Sequence, residues 1–229
     1  MRVIGGADEA GRGPILGPLV ICAAIFNEQD IPYLQDQGVH DSKKLSAKKR
    51  DQLLEIIQEK VIDYELVIIK ACHIDKSLNS GTNLNALEVL GFARAINNLL
   101  NRNCNKHNVH ILHLDAADVK PKRFQTNIQK KLQLNVTLNA EHKADENILV
   151  VGAASIIAKT TRDKIIKQLQ AENGDIGSGY PSDLKTRNFL KDYYQAHKKF
   201  PSFARHCWST IKKIEKELGV LPKGQKTLF

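Results

Sequence analysis

Gly5-Gly6-Ala7-Asp8-Glu9-Ala10-Gly11-Arg12-Gly13-Pro14 sets two acidic side chains at the end of a strand-like run, Arg2 to Ala7, and follows them with a turn in which two glycines flank an arginine. Adjacent strand residues point to opposite faces, so Asp8 and Glu9 cannot both serve one core, and at a strand end one at least faces a cleft. Carboxylates in a cleft usually hold something positive. Gly11 and Gly13 tolerate φ > 0 and leave backbone N–H groups unshielded, which lets the turn come within hydrogen-bond distance of a ligand. A cation site beside a backbone-presenting loop suits phosphate chemistry. A β-turn with an incidental acidic pair accounts for the same residues without any function.

Outward from this stretch, Leu19 to Phe26 is a continuous apolar run that reads as a buried strand paired with the first. A polar loop ends in Asp41-Ser42-Lys43-Lys44-Leu45, and Ser46 is placed to cap a helix carrying Leu53, Leu54, Ile56 and Ile57. Tyr64 to Ala71 reads as a third strand, and Leu84 to Leu100 as a helix with its apolar residues at helical spacing. Val109 to Leu114 is a fourth strand ending in Asp115, at the carboxyl edge where α/β sheets meet ligands, although a turn-former fits there equally well. Pro121 opens a helix to Leu132, and Val136 to Asn139 is a short fifth strand. Asp145 then heads a long helix, Glu146 to Ala171, and by itself reads as an N-cap sooner than as a metal ligand. The stretch Gly177-Ser178-Gly179-Tyr180-Pro181-Ser182 holds Tyr180 between turn residues, outside any periodic core pattern. Two basic helices follow, about 183–197 and 208–218. The pattern predicts an α/β fold, a mixed five-stranded sheet flanked by helices (1–182) with a basic helical C-terminal lobe and short tail (183–229).

The chain has 229 residues, 42% of them hydrophobic, which suffices for an ordinary globular core. Its longest apolar run falls far short of a membrane span, and a secretory h-region is absent from the first twenty residues, so no membrane partner and a cytoplasmic location are expected. Four scattered cysteines without a CxxC pair argue against a zinc site or a disulfide framework. The net charge of +9 is concentrated at one end: residues 185–229 hold eleven Lys and Arg against three acids, and residues 1–184 hold 23 against 22. Such a surface suits a polyanion, while a solvated helical face is the plainer meaning of a charge run.

Four acids at strand ends or helix heads (Asp8, Glu9, Asp115, Asp145) suggest phosphodiester chemistry on two divalent cations, which need several carboxylates to offset their charge. The blocks Gly-Ala-Asp-Glu-Ala-Gly-Arg-Gly-Pro at 6–14, Asp-Ser-Lys-Lys-Leu at 41–45, Asp-Ala-Ala-Asp-Val at 115–119, His-Lys-Ala-Asp at 142–145, Ala-Ala-Ser-Ile-Ile-Ala-Lys at 153–159, Arg162-Asp163 and Gly-Ser-Gly-Tyr-Pro-Ser-Asp at 177–183 resemble type 2 ribonuclease H (ribonuclease HII), in its archaeal wording. The blocks occur in the family's order through most of the chain.

The resemblance implies a ribonuclease H-like fold and two Mg²⁺ or Mn²⁺ ions per active site, and a monomer is the default expectation. It implies endonucleolytic cleavage of RNA in RNA/DNA hybrids and incision 5′ to single ribonucleotides in duplex DNA, leaving 3′-hydroxyl and 5′-phosphate ends, in ribonucleotide removal and RNA primer processing. Asp8, Glu9, Asp115 and Asp145 match the metal-binding catalytic carboxylates, with Asp8 as the bridge. Gly11, Arg12 and Gly13 match the loop that meets the ribose 2′-hydroxyl through main-chain groups, Tyr180 the ring that stacks on the next sugar, and Ser42 and Lys43 a backbone-contacting motif. Asp118, Asp163 and the histidines, His142 included, keep structural or surface readings. Archaeal members often end in a sliding-clamp box, of which Gln225 and Leu228 supply the first anchors while the closing aromatic pair is missing. Type 3 ribonuclease H shares the chemistry but would bring an N-terminal domain, for which a motif starting at residue 5 leaves no room. A non-catalytic basic nucleic-acid-binding module is the reading from another class.

Overall fold

The computed structural model describes residues 2–39 and 45–220. The chain forms β1 (Val3–Ala10), β2 (Leu19–Asn27), a 3₁₀ turn (Glu28–Asp30), α1 (Ile31–Asp36), α2 (Ala47–Lys60), β3 (Val61–Ile69), α3 (Ala71–Asn79) and α4 (Leu84–Asn103). It continues through β4 (Val109–Asp115), α5 (Pro121–Gln129), β5 (Thr137–Glu141), α6 (Ala144–Asn147), α7 (Leu149–Asn173), α8 (Leu184–His197) and α9 (Ser209–Glu217). The sheet order is β3-β2-β1-β4-β5, with β2 antiparallel to both neighbours and β4 parallel to β1 and β5. This is the mixed five-stranded sheet expected from the sequence.

β2 is buried almost end to end because helices cover both of its faces, and its side chains divide with the strand period of two. Leu19, Ile21, Ala23 and Ile25 enter the core shared with Phe92 and Ile96 of α4 and with Phe124 of α5. Val20, Cys22, Ala24 and Phe26 enter the opposite core with Leu53 and Ile57 of α2 and the small residues of α7. Each fully buried Leu, Ile or Phe contributes about 1.5–3 kcal/mol of transfer free energy, so these two layers supply most of the drive to fold. α7 lies against β1, and Gly6 makes that possible: a Cβ there would sit 2.2 Å from the carbonyl oxygen of Val150. The tightest point of this helix–strand contact thus lies on the strand.

A third core packs the C-terminal helices, with Leu190, Ile211 and Ile214 meeting Ile15 and Leu16 of the segment after β1. The expected lobe therefore rests on the residues that follow the glycine turn. No helix among the described residues is long and apolar enough to cross a membrane.

Several expectations need correction. β1 does not stop at Ala7 but carries Asp8 and Glu9 within it, because pairing with β2 continues through Ala10 and Val20. The third strand begins and ends earlier than read, and Ala71 opens α3, which buries only Ala71 and Ile74 and so leaves a weak periodic signal. α1, likewise short, was not foreseen. Asp145 does not head the long helix: it lies in the separate single turn α6, and the extended backbone of Ile148 divides that turn from α7.

Candidate active site

Strand register assembles the acidic cluster. β1 pairs Ala7 with Leu114 of β4, so Asp8 and Asp115 follow side by side on adjacent parallel strands. Ala7 and Leu114 both enter the α4-side core, and period two turns the next residue of each strand to the α7 face. Asp145 arrives from the turn after β5, and α6 is tied to β4 where the Ala144 N–H donates to Asp115 Oδ1 at 2.9 Å. One carboxylate oxygen from each of Asp8, Asp115 and Asp145 lies within 4.8 Å of the others. Glu9 falls on the opposite side of the strand and is not in this group of three, although Asp8 and Asp115 both act on its charge.

The electrostatics follow from burial. The carboxyl of Asp8 is pushed up to about 7, first by removal from water and then by repulsion from Asp115, against the lowering effects of a Ser155 hydrogen bond and the Lys159 charge. Glu9 is raised well above its ordinary range, again first by burial and then by Asp8 and Asp115. Lys159 Nζ stands 3.7 Å from Asp145 Oδ2, and Ser155 and Lys159 share one face of α7 at i, i+4 spacing. Three clustered carboxylates, two of them buried, repel one another unless a cation joins them. The donor set is hard oxygen only, the type that Mg²⁺ and Mn²⁺ prefer, and Glu9 Oε2 is buried without a hydrogen-bond partner among the described residues. Asp8, Asp115 and Asp145 are thus the residues that could hold divalent metal, with Glu9 beside them.

Next to the cluster lies a cleft lined by Gly11, Arg12, Gly13, Arg50, Arg162 and Tyr180. The glycines differ in what they permit. Gly11 has φ 92°, and a Cβ there would come 2.6 Å from Arg162 Nε and from the Pro18 carbonyl, so it is required by packing within the protein. At Gly13 a Cβ would meet only Tyr180 Cε1, at 3.7 Å, which leaves a slot between the loop and the ring. A side chain at Gly11 would thus clash within the protein, whereas one at Gly13 would enter the slot. Arg12 turns its side chain inward: its guanidinium pairs with the fully buried carboxylate of Glu88 and donates to Asn85 Oδ1 at 2.6 Å. The side chain nonetheless stays partly exposed, and its main chain completes the loop surface.

Tyr180 is 45% exposed and is carried by a braced turn. Gly179 O accepts from the N–H groups of Ile15 and Leu16 at 2.8 and 3.1 Å, which joins this turn to the glycine loop. Asp183 Oδ2 accepts from Ser178 N and Oγ at 2.6 and 2.7 Å. Asp118 is held by Arg123 and Asp163 by Arg50, in agreement with structural roles. Ser42, Lys43 and the Gln225 and Leu228 anchors lie outside the described residues. Sequence reasoning quoted Lys159 and Arg162 without giving them roles, and passed over Glu88, Arg205 and Trp208. The i, i+4 spacing of Ser155 and Lys159 was the signal available for the first. Nothing in the pattern marked the others, whose partners are far away in sequence.

A mixed sheet whose two central parallel strands carry adjacent aspartates defines a ribonuclease H-type nuclease. The ribonuclease HII family model matches residues 5–211. Ribonuclease HII of Thermococcus sibiricus is 47% identical over 215 residues, covering 94% of this chain and 92% of that protein. The crystal structure of ribonuclease H2 from Pyrococcus horikoshii superposes with a TM-score of 0.86 at 40% identity, covering 95% of this chain and 99% of that one. The structure of the PCNA:RNase HII complex from Archaeoglobus fulgidus gives 0.78 at 35% identity, over 90% of this chain and 95% of that one. The chain belongs to the ribonuclease HII family, and is an endonuclease of the hydrolase class.

Proposed function

We propose that this nuclease cleaves the RNA strand of RNA/DNA hybrids and cuts duplex DNA 5′ to an embedded ribonucleotide. The observation that carries the reading is the carboxylate trio Asp8, Asp115 and Asp145 beside a cleft in which the Gly11–Gly13 loop faces the Tyr180 ring. The trio, with Glu9, would hold two Mg²⁺ or Mn²⁺ ions, which when bound activate water and stabilise the leaving oxygen. Attack on the scissile phosphorus breaks the P–O3′ bond and leaves a 3′-hydroxyl and a 5′-phosphate. Lys159, against Asp145, keeps a positive charge at the cluster's edge and orients that carboxylate. The loop's main-chain groups meet the 2′-hydroxyl, the one feature that distinguishes a ribonucleotide from its neighbours. Tyr180 packs on the following sugar.

The protein acts in the cytoplasm as a monomer. The Archaeoglobus fulgidus relative is known in a complex with PCNA, and Gln225 and Leu228 would supply the first anchors of a corresponding contact here. Incubation of the purified protein with an end-labelled hybrid, with Mg²⁺ or with chelator, separates enzyme from binding module. Cleavage that requires the ion supports the proposal, and retention of the hybrid without any cleavage in Mg²⁺ or Mn²⁺ refutes it.

A further inference from the structure

Arg205 is fully buried, yet its three side-chain hydrogen bonds among the described residues all go to main-chain oxygen. Nη2 donates to Gly11 O at 2.5 Å, Nη1 to Arg12 O at 2.9 Å and Nε to Gly17 O at 3.2 Å. No carboxylate hydrogen-bonds to it among the described residues. Burial, and next the charge of Arg162, lower its pKa to about 10, which leaves it cationic at neutral pH.

The segment carrying Arg205 is itself fixed from several sides. Arg205 N donates to Ile15 O at 2.8 Å, and Leu16 bridges to Ala204. Asp75 of α3 accepts from the N–H groups of His206 and Cys207 at 2.8 and 3.0 Å. Trp208 Nε1 donates to Gly13 O at 3.2 Å, so all three carbonyls of the loop are held by residues 205 and 208.

A trans peptide unit is planar, with its C=O and N–H pointing in opposite directions. Fixing the Gly11 carbonyl therefore fixes the Arg12 N–H on the far side, and fixing the Arg12 carbonyl does the same for the Gly13 N–H. The Gly13–Pro14 unit has no N–H to offer. With Arg205 on the buried side, the far side of these units is the cleft that Gly11, Arg12 and Gly13 line. A planar guanidinium suits this task because its fork holds two adjacent carbonyls in a set geometry, which a point-like ammonium cannot do.

We infer that Arg205 is a positioning residue for ribonucleotide recognition: by holding the Gly11 and Arg12 carbonyls from within, it aims the Arg12 and Gly13 N–H groups at the ribose hydroxyl. The inference rests on the loop's proposed role as the hydroxyl reader. It also gives the C-terminal segment a part in specificity that is separate from its surface charge.

The test is equilibrium binding by fluorescence anisotropy in chelator, comparing a DNA duplex with one ribonucleotide to the all-DNA duplex of the same sequence, for the parent protein, Arg205→Lys and Arg205→Gln. The parent should prefer the ribonucleotide duplex by about tenfold, the worth of one or two well-placed hydrogen bonds. In Arg205→Lys the preference should collapse towards one while affinity for all-DNA duplex stays within about twofold, because the charge count and the exposed surface are kept. Arg205→Gln, which keeps a planar amide donor for one carbonyl but loses the two-carbonyl fork, should lose a large part of the preference, and it decides the matter if Arg205→Lys does not fold. Equal loss on both duplexes, or an unchanged preference in the variant that folds, overturns the positioning role. A parent protein without any preference instead overturns the loop's role as reader.

Discussion

The buried carboxylate of Glu88 on α4 pairs with the Arg12 guanidinium, so the one charged side chain of the glycine turn, itself partly exposed, is neutralised by a carboxylate inside the protein. Arg12 then serves as an anchor that pins its own backbone to α4. Arg12→Ala should destabilise the fold by about 3 kcal/mol, because it leaves a fully buried carboxylate uncompensated. The double variant Arg12→Met/Glu88→Leu should recover most of that loss, since an apolar pair of similar volume avoids the desolvation cost. Urea unfolding of the three proteins checks this, and a single variant as stable as the parent would contradict it.

The Tyr180 turn has a pH signature. Hydrogen bonds from the Ser178 backbone and hydroxyl hold the Asp183 carboxyl down to about 2, below its ordinary 3.8. A depressed folded-state pKa contributes stability that is complete above the unfolded value and disappears as pH falls from there through the folded one. Asp183→Asn should therefore lower the melting temperature at pH 7, with the gap to the parent closing between about pH 4 and pH 2. A gap that stays constant down to pH 2 would show that the ionised carboxylate does not brace the turn.

Tyr180 faces Gly13 across an open slot. Tyr180→Ala should cost roughly 1–3 kcal/mol of transition-state binding on a duplex with one ribonucleotide, taking stacking on an aromatic ring as the guide. Tyr180→Phe keeps the ring and should retain a substantial part of the activity. Single-turnover cleavage distinguishes them, and parent-like rates for the alanine variant would remove the ring from the mechanism.

The basic C-terminal segment contributes less free charge than its composition suggests. Lys185 pairs with Asp175, Arg187 and Lys191 pair with Glu217, and Arg205 is buried. Lys198, Lys199, Lys212 and Lys213 are exposed. Replacing these four by Gln should flatten the slope of log affinity against log salt by up to about 3 or 4, each phosphate contact being worth about 0.9. The position of the cut should not move. An unaltered slope would place the nucleic-acid surface elsewhere.

The sheet was legible because its signals are local. β-branched and apolar runs marked β2 and β4, and a carboxylate following such a run marked Asp115. Strand alternation already parts Glu9 from Asp8, but the sequence could not show that Asp8 would meet Asp115 and Asp145, because that depends on the register between β1 and β4 and on the turn after β5. It could not separate Asp145 from the long helix, because the break at Ile148 carries neither proline nor glycine. The roles of Glu88 and Arg205 were out of reach for a related reason: each is set by contacts with residues far away in sequence, and a lone charge has no period to reveal it.

The central claim is that the carboxylate cluster performs phosphodiester hydrolysis on a ribonucleotide-marked strand. The most direct measurement pairs single-turnover cleavage of a duplex with one ribonucleotide, at saturating Mg²⁺, with equilibrium binding of the same duplex, for the parent and Asp8→Asn. The cleavage rate should fall by at least about 100-fold, as loss of a transition-state electrostatic contact does, while the dissociation constant changes little. The variant should also melt no lower than the parent in chelator, since it removes a buried carboxylate that Asp115 and Asp145 repel. A parent-like cleavage rate in Asp8→Asn would contradict the assignment of the active site.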